Sequence, residues 1–183
     1  MKFLKSPFLF VFLLFIFTSE AQQNKKAIAQ MDPEKSIISN AQASGNHNLL
    51  LAAVKVSELE STLDNDGPFT VFAPRDVNFD STTKERVTEL VRIKNKKELQ
   101  SVIGYHIVAG KLTASKILKA LCRGKGIAAF TTISGDVLTA TMKGLDIILT
   151  DKNGNQSIIT KADANQCNGV FHVIDSVNKP SKV

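Results

Sequence analysis

Apolar residues in the first half of the chain recur every three to four positions, which is the spacing of one face of an amphipathic α-helix. Aspartate followed by proline at residues 32–33 predicts the start of a first helix, because aspartate caps free amides and proline fits the first turn. Ile37, Ile38 and Ala41 are predicted to form its buried face, and Gly45 to end it.

Two shorter helices are predicted next. One follows Asn48. The other starts at the sequence SELE, from Ser57 to Glu60, where hydroxyl and carboxylate can each satisfy a free amide as a capping box, and it runs to about Leu63. Asp, Asn, Gly and Pro fill residues 64–68, which indicates a turn. The inward residues after Asn48 are predicted to be Leu50, Ala53 and Val54.

Three more helices are predicted before Gly126. Ser81 or Thr82 is predicted to cap the first, Asn95 begins a second capping-box pattern, and Thr113 is predicted to cap the last. Their apolar faces are predicted to be Val87, Leu90 and Val91, then Leu99, Val102, Ile103 and His106, and finally Ile117, Leu118 and Leu121.

Strands are predicted at two places among the helices and then throughout the end of the chain. Residues 69–72 are predicted to form a short strand that stops at Pro74, and Ile107 and Val108 another. From Gly126 onward, five β-rich runs are separated by Ser-Gly, Lys-Gly and Asn-Gly turn signals. A helical first half followed by an antiparallel β-rich second half indicates the α+β class.

The last β-rich run, NGVFHVIDSV, has two apolar faces. One face carries Val170, His172 and Ile174, and the other carries Phe171 and Val173. We therefore expect this strand to be covered on both sides. A histidine on such a strand is more often a neutral, hydrogen-bonded core residue than a catalyst.

Few residues of the chain are candidates for catalysis or metal binding. The chain has three histidines, His47, His106 and His172, and no two of them stand four residues apart, the spacing of a helical zinc site. Nucleophile-elbow, phosphate-loop and dinucleotide motifs are missing. The sequence therefore predicts no metal, cofactor or catalytic site, and the alternative is a hydrolase that uses His106 or His172. Asp175 is expected to accept backbone amides.

Residues 1–21 predict a cleaved signal peptide, because two early lysines precede an apolar run at positions 8–17 and small residues follow it. The apolar run is shorter than the roughly 20 residues that span a bilayer. We expect a secreted protein, periplasmic or extracellular, with a flexible lead-in at 22–31 and one domain at 32–180.

The charge and the aromatic content of the chain limit which classes of partner are expected. The formal net charge is +6, and its densest runs are at 94–97 and 116–125. On helices these charges favour a solvated face, while attachment to an acidic surface or polysaccharide stays open. The chain has no tryptophan and a single tyrosine, Tyr105. Nucleic acid is therefore not expected as a partner, since single strands are bound on aromatic platforms.

The two cysteines, Cys122 and Cys167, would enter an oxidising compartment together. A disulfide between them would contribute about 4 kcal/mol in the chain-entropy model. The other interpretation is two separate buried thiols. Sequence alone does not place the two Cα atoms, so both remain open.

Three blocks stand in order along the chain: GPFTVFAPRDVNF at 67–79, YHIVAG at 105–110 and NGVFHVID at 168–175. Together they resemble the fasciclin domain family, in particular its single-domain secreted bacterial members. The resemblance implies a wedge of about seven strands flanked by helices. The family motif falls on Thr70, Val71, Phe72, Ala73, Pro74, Phe79, Tyr105, His106, Asn168, Gly169, Val170, His172, Val173, Ile174 and Asp175.

The resemblance also implies a function, which is adhesion or surface attachment without catalysis. The expected partner is a protein or polysaccharide of the cell envelope or matrix. The alternative is a carrier or sensor that holds a small apolar ligand in a groove between helices and sheet. Arg75 and Asp76 stand where the family commonly has Thr and Asn, so we expect local capping to differ there.

Overall fold

The computed structural model of the protein describes residues 31–179. The predicted signal peptide at 1–21 lies outside the described residues, and so do all but the last residue of the predicted lead-in and Pro180 at the end of the predicted domain.

Within these residues, helices dominate the first half and strands the second. The helices are α1 (Ile37–Ser44), α2 (Asn48–Val56), α3 (Glu60–Asn65), α4 (Ser81–Arg92), α5 (Lys96–Tyr105) and α6 (Ala114–Arg123), and a 3-10 turn spans Asp76–Asn78. The strands are β1 (Phe69–Pro74), β2 (Ile107–Ala109), β3 (Ile127–Thr131), β4 (Val137–Lys143), β5 (Asp146–Thr150), β6 (Gln156–Gln166) and β7 (Gly169–Ile174).

The strands form one sheet in the order β2-β1-β7-β6-β5-β4-β3. Neighbouring strands are antiparallel except β1 and β7, which run parallel. The two edges nearly meet, because Val108 pairs with Thr132 just after β3, and the Ile133 amide donates to the Ile107 carbonyl at 2.8 Å. The α+β class and the seven-stranded wedge flanked by helices are confirmed. The parallel β1–β7 pair departs from the predicted antiparallel pattern.

Two apolar cores lie on opposite faces of β1 and β7. The first packs α1, α2, α4 and α5 against Val71, Phe171 and Val173. The second packs α6 and the remaining strands against Phe72 and Ile174. All six residues of β7 are buried. The prediction that the last strand is covered on both sides is confirmed.

The first helix starts later than predicted. Residues 32–35 form a turn, which Asn40 holds by two hydrogen bonds. The Asp32 amide donates to the Asn40 side-chain oxygen, and the Asn40 side-chain nitrogen donates to the Asp32 carbonyl, each at 2.7 Å. Ser36 then caps α1 by accepting the Ser39 amide at 3.1 Å. The predicted buried face of α1 is confirmed for Ile37, Ile38 and Ala41.

The predicted capping box at Ser57 is wrong, although a helix does follow it. The Ser57 hydroxyl donates to the Val54 carbonyl at 2.8 Å, so it closes α2 instead of opening α3. Glu58 then adopts a left-handed backbone with φ of +60°, and Leu59 is the residue before α3. The serine therefore had two competing backbone partners, and the upstream carbonyl is the one it contacts.

The cap of α4 is Asp80, one residue before the predicted Ser81 or Thr82. The Asp80 carboxylate accepts both the amide of Thr83, at 2.9 Å, and its hydroxyl, at 2.5 Å. A carboxylate forms stronger hydrogen bonds to free amides than a hydroxyl does. Its negative charge is also stabilised by the positive end of the helix dipole.

The caps of the last two helices agree with the prediction. Asn95 accepts the amide of Glu98 and Thr113 accepts the amide of Lys116, both at 3.3 Å. On α6, however, Leu118 is 41% exposed and is not a core residue. The buried face of this helix is the narrower stripe formed by residues four apart, Ile117 and Leu121.

Candidate functional site

The parallel pair of β1 and β7 brings the first and third motif blocks side by side. Phe72 lies opposite His172, and their rings stack with centroids 5.4 Å apart. The motif residues that are buried are Thr70, Val71, Phe72, Ala73, Pro74, Tyr105, His106, Gly169, Val170, His172, Val173 and Ile174, whereas Phe79, Asn168 and Asp175 are half-buried. The family motif is thus largely inside the domain.

His172 is held by two hydrogen bonds. Its Nε2 donates to the Leu112 carbonyl at 2.7 Å, and its Nδ1 accepts the Asp163 amide at 3.2 Å. This pairing fits a neutral ring that carries its proton on Nε2. Burial lowers the pKa of His172, although the bond to Leu112 and the nearby Asp163 carboxylate oppose the shift. The ring has no free nitrogen for a substrate or a metal.

The surroundings of His172 form a wider hydrogen-bond network. The Thr70 hydroxyl donates to the Gly110 carbonyl at 2.6 Å and accepts the Leu112 amide at 2.8 Å. The Asp163 carboxylate accepts the Ala114 amide at 2.7 Å, at the start of α6. The network therefore ties both central strands to α6. Sequence reasoning missed Asp163, which has a φ of +59° in an irregular part of β6.

His106 ends α5 inside the first core. Its Nδ1 donates to the Val102 carbonyl at 2.9 Å, and burial lowers its pKa. Its Nε2 has no hydrogen-bond partner among residues 31–179 and is buried. The ring borders an apolar cavity of about 10 Å³. That volume is at most one water, so no organic ligand fits beside this nitrogen.

Tyr105 links α5 to the β-rich half. Its hydroxyl donates to the Val137 carbonyl at 3.1 Å and accepts the Lys152 amide at 3.0 Å. The side chain is fully buried, and this burial raises the pKa of the phenol. The Tyr105–His106 pair is therefore not presented at the surface of this domain.

Asn168 and Gly169 join α1, α3 and the central strands. The Asn168 side chain accepts the Ile37 amide at 2.9 Å and donates to the Leu63 carbonyl at 2.6 Å. Gly169 leaves no space for a side chain, since a Cβ there would lie 2.0 Å from the Phe69 carbonyl oxygen. The two residues thus fix where β7 begins beside β1.

Two carboxylates near the motif blocks organise the backbone. Asp175 accepts the Ile158 amide at 2.7 Å, as predicted. Asp76 accepts the amides of Asn48 and Leu49, at 3.0 and 2.9 Å, and so caps α2 from the neighbouring 3-10 turn. Asp76, where we expected the local capping to differ, therefore caps a helix that lies earlier in the chain.

The structure places both cysteines at the surface of the domain. Cys122 and Cys167 are both exposed free thiols, so they are neither bridged nor buried in this structure. Cys122 lies in the last turn of α6. Cys167 lies in the turn between β6 and β7, where its amide donates to the Lys35 carbonyl at 3.1 Å. The two thiols belong to separate surface elements.

Histidine, cysteine and carboxylate side chains do not converge in the described part of the chain: no three of them are close enough to hold a metal ion. Among residues 31–179, moreover, no helix has the length and apolar character that crossing a membrane requires.

At least four grooves of about 280 to 340 Å³ are open to solvent on the described residues, and two of them are compared here. The first, of about 290 Å³, lies between the α1–α2 loop and strands β6 and β7, and is called here the His47 groove after a buried histidine that lines it. The second, of about 280 Å³, lies between α4 and the segment after β7. Sequence reasoning missed both, because each is formed by residues far apart in the chain.

The nearly closed seven-stranded sheet and its flanking helices define the FAS1 fold. The solved structure of a FAS1 domain pair from the insect cell adhesion molecule Fasciclin I matches with a TM-score of 0.70 and 18% identity, over 82% of this chain and 52% of that chain. The Fasciclin domain model matches residues 45–180, and the chain belongs to this family.

Relatives are found in bacteria and in animals. Protein sll1483 of Synechocystis sp. is 32% identical over 152 residues, which is 83% of this chain and 77% of that protein. Protein sll1735 of the same organism is 32% identical and is matched over 96% of its length. Transforming growth factor-beta-induced protein ig-h3 of Sus scrofa is 28% identical, and this chain spans only 20% of it.

Proposed function

We propose that the protein is a secreted, non-catalytic interaction domain that binds a protein or polysaccharide at the cell surface or in the extracellular matrix. The observation that carries this proposal is the inward orientation of the family motif. His172, Tyr105 and Thr70 use their polar atoms in internal hydrogen bonds. Any specific partner would therefore contact surface residues outside the buried motif.

The relatives add support of the same kind. The structural match belongs to an insect cell adhesion molecule, and Stabilin-1 and Periostin of Homo sapiens are 32% and 28% identical to this chain over part of their length. These proteins are much longer, since the chain spans 4% of the first and 16% of the second. The similarity to one part of these proteins therefore supports attachment and carries over none of their other activities.

The expected route to the cell surface is secretion through the N-terminal signal peptide at 1–21. A basic start and a short apolar run support it. Cell fractionation followed by N-terminal sequencing tests it, and the mature chain is expected outside the cytoplasm, starting near Gln22. Recovery of the intact N-terminus from the cytoplasm would contradict secretion.

The second candidate is a carrier of a small apolar ligand, which the open grooves favour by their position between helices and sheet. The wholly apolar cavity beside His106 has only about 10 Å³. The His47 groove and the second groove are lined partly by charged side chains. Surface attachment is therefore the better supported function. Native mass spectrometry of protein purified from its own organism separates the two, because a carrier would retain a copurifying small molecule.

Attachment is tested by sedimentation of the purified full chain with an envelope or matrix preparation from its own organism. We expect saturable binding that heat-denatured protein does not show. A lack of saturable binding would count against attachment, and a hydrolytic activity abolished by His172→Gln in a folded variant would count against a non-catalytic domain.

A further inference from the structure

The His47 groove differs from the second groove in its charges. The second groove is lined by Arg86 and Lys179, and each of them forms an ion pair, with Glu98 and Asp80 respectively. The His47 groove is lined by two cations and by no carboxylate of residues 31–179, while Asp163 lines the adjoining groove that shares Lys161. This difference makes the His47 groove the more attractive site for an anion.

The two cations of the His47 groove are Arg75, just after β1, and Lys161 on β6. Both are exposed, and neither forms an ion pair within residues 31–179. They come from separate elements and border the same concave surface. Arginine presents parallel donors that match a carboxylate, and lysine adds a point charge.

His47 adds a fixed polar atom to the groove. The side chain is 2% exposed, its Nδ1 donates to the Pro74 carbonyl at 2.9 Å, and its ring packs edge-on against Phe171 at 5.0 Å. These contacts hold the ring in one orientation. Nε2 forms no hydrogen bond with residues 31–179, and the ring is part of the groove lining. In the neutral ring Nε2 is an acceptor, and it suits a hydroxyl group.

The rest of the lining fits a sugar ring. Ser44, Asn46 and Thr160 each donate to a backbone carbonyl, so what they offer a ligand is mainly acceptor oxygens. Ala164 and Val173 provide apolar surface for the C–H face of a ring. The volume of about 290 Å³ is just below the roughly 300 to 1,000 Å³ that ligand pockets occupy, so the groove suits a small ligand such as one sugar unit. Because the groove is open to solvent, neighbouring units of a polymer can extend out of it.

We propose that the His47 groove binds a uronate unit of an acidic polysaccharide, with Arg75 and Lys161 on the carboxylate and His47 Nε2 accepting a sugar hydroxyl. This inference rests on the proposed function, since it names the chemistry of the partner. Burial lowers the pKa of His47 despite its bond to Pro74, which keeps Nε2 an acceptor at neutral pH.

Isothermal titration calorimetry of the full chain with oligogalacturonate tests the proposal, with maltotetraose as the neutral comparison. We expect binding of the uronate oligomer only. The double variant Arg75→Ala, Lys161→Ala is expected to weaken binding by about tenfold or more, because two charge-assisted contacts are lost.

The matched control is Lys119→Ala, Arg123→Ala, which removes the same charge from exposed positions on α6. It is expected to change the affinity by less than about twofold, as distant surface charges are screened. An equal loss in both double variants, equal affinity for dextran sulfate, or no binding of oligogalacturonate by the native chain would each overturn the proposal.

The envelope sedimentation assay separates this inference from the proposed function. If the native chain and the Arg75→Ala, Lys161→Ala variant sediment equally with the envelope, the partner lies elsewhere and the uronate site is refuted while attachment stands. If the native chain binds oligogalacturonate but never sediments, the uronate site stands and attachment is refuted.

Discussion

Phe72 of β1 and His172 of β7 lie face to face, with ring centroids 5.4 Å apart and planes 18° apart. This contact exists because β1 and β7 are parallel neighbours, although about 100 residues of chain separate them. Phe72 belongs to the second core, and the two ring nitrogens of the histidine form hydrogen bonds with Leu112, just before α6, and Asp163, in the irregular part of β6. We therefore propose a structural role for the motif histidine.

Replacing His172 by alanine is expected to destabilise the domain by roughly 3 kcal/mol, because it leaves a cavity and two partly buried backbone groups without this partner. For a chain of this length the melting temperature should fall by about 10 °C. Thermal unfolding followed by circular dichroism measures it, with Lys119→Ala, an exposed position on α6, as the control. An unchanged melting temperature would refute the structural role.

The three buried histidines make stability depend on pH. Their pKa values are lowered by burial, so in the folded state they stay neutral while the unfolded chain takes up protons below about pH 6.5. The stability that the neutral histidines contribute is therefore fully present above about pH 6.5. It is lost as the pH falls from there toward their folded-state pKa values. His106 and His172 each contribute at most about 1.4 kcal/mol per pH unit.

Urea unfolding at pH 7.0 and pH 5.5 tests this sign. We expect a lower free energy of unfolding at pH 5.5, and a smaller difference in a folded His172→Gln variant. Equal stability at both pH values would mean that the histidines are accessible in the folded state.

The contact between β1 and β7 depends on Gly169. In Gly169→Ala the new Cβ would lie 2.0 Å from the Phe69 carbonyl oxygen and 2.9 Å from the Ile37 Cδ1, so the strands must separate. We expect a loss of about 3 kcal/mol or more, at the upper end of overpacking effects. Gly154→Ala is the control, because a Cβ there meets nothing within 4 Å and costs only the strain of its φ of +85°. Equal losses in chemical denaturation would contradict this account of the motif glycine.

Much of the fold follows from sequence period, but contacts between distant elements do not. The buried faces of α1 and α5 and the doubly covered β7 were predictable, because the apolar residues themselves repeat. The cap at Ser57 was not, since one hydroxyl had two backbone partners to choose from.

The candidate site shows the same division. The motif histidines could be recognised as core residues from their apolar neighbours. The His47 groove could not, because Arg75, Lys161 and His47 come together only after β1, β6 and the α1–α2 loop have packed. Whether the two cysteines are bridged could not be predicted for a related reason, since their spacing in the sequence does not give the distance between two surface elements.

Both thiols are expected to react in the native protein. Cys122 and Cys167 are exposed and free, so iodoacetamide should modify both without denaturant. Intact mass spectrometry of the unreduced chain should show two carboxamidomethyl groups. A chain that takes up label only after reduction would contain the disulfide after all.

The claim that the motif histidine is a core group is tested most directly by nitrogen NMR of the imidazole of His172 as a function of pH. We expect a single neutral tautomer in which Nε2 carries the hydrogen and Nδ1 is the acceptor. This tautomer should persist below pH 6.5 until the domain unfolds. An imidazole that protonates near pH 6.5 in the folded protein, or that exchanges between tautomers, would contradict it.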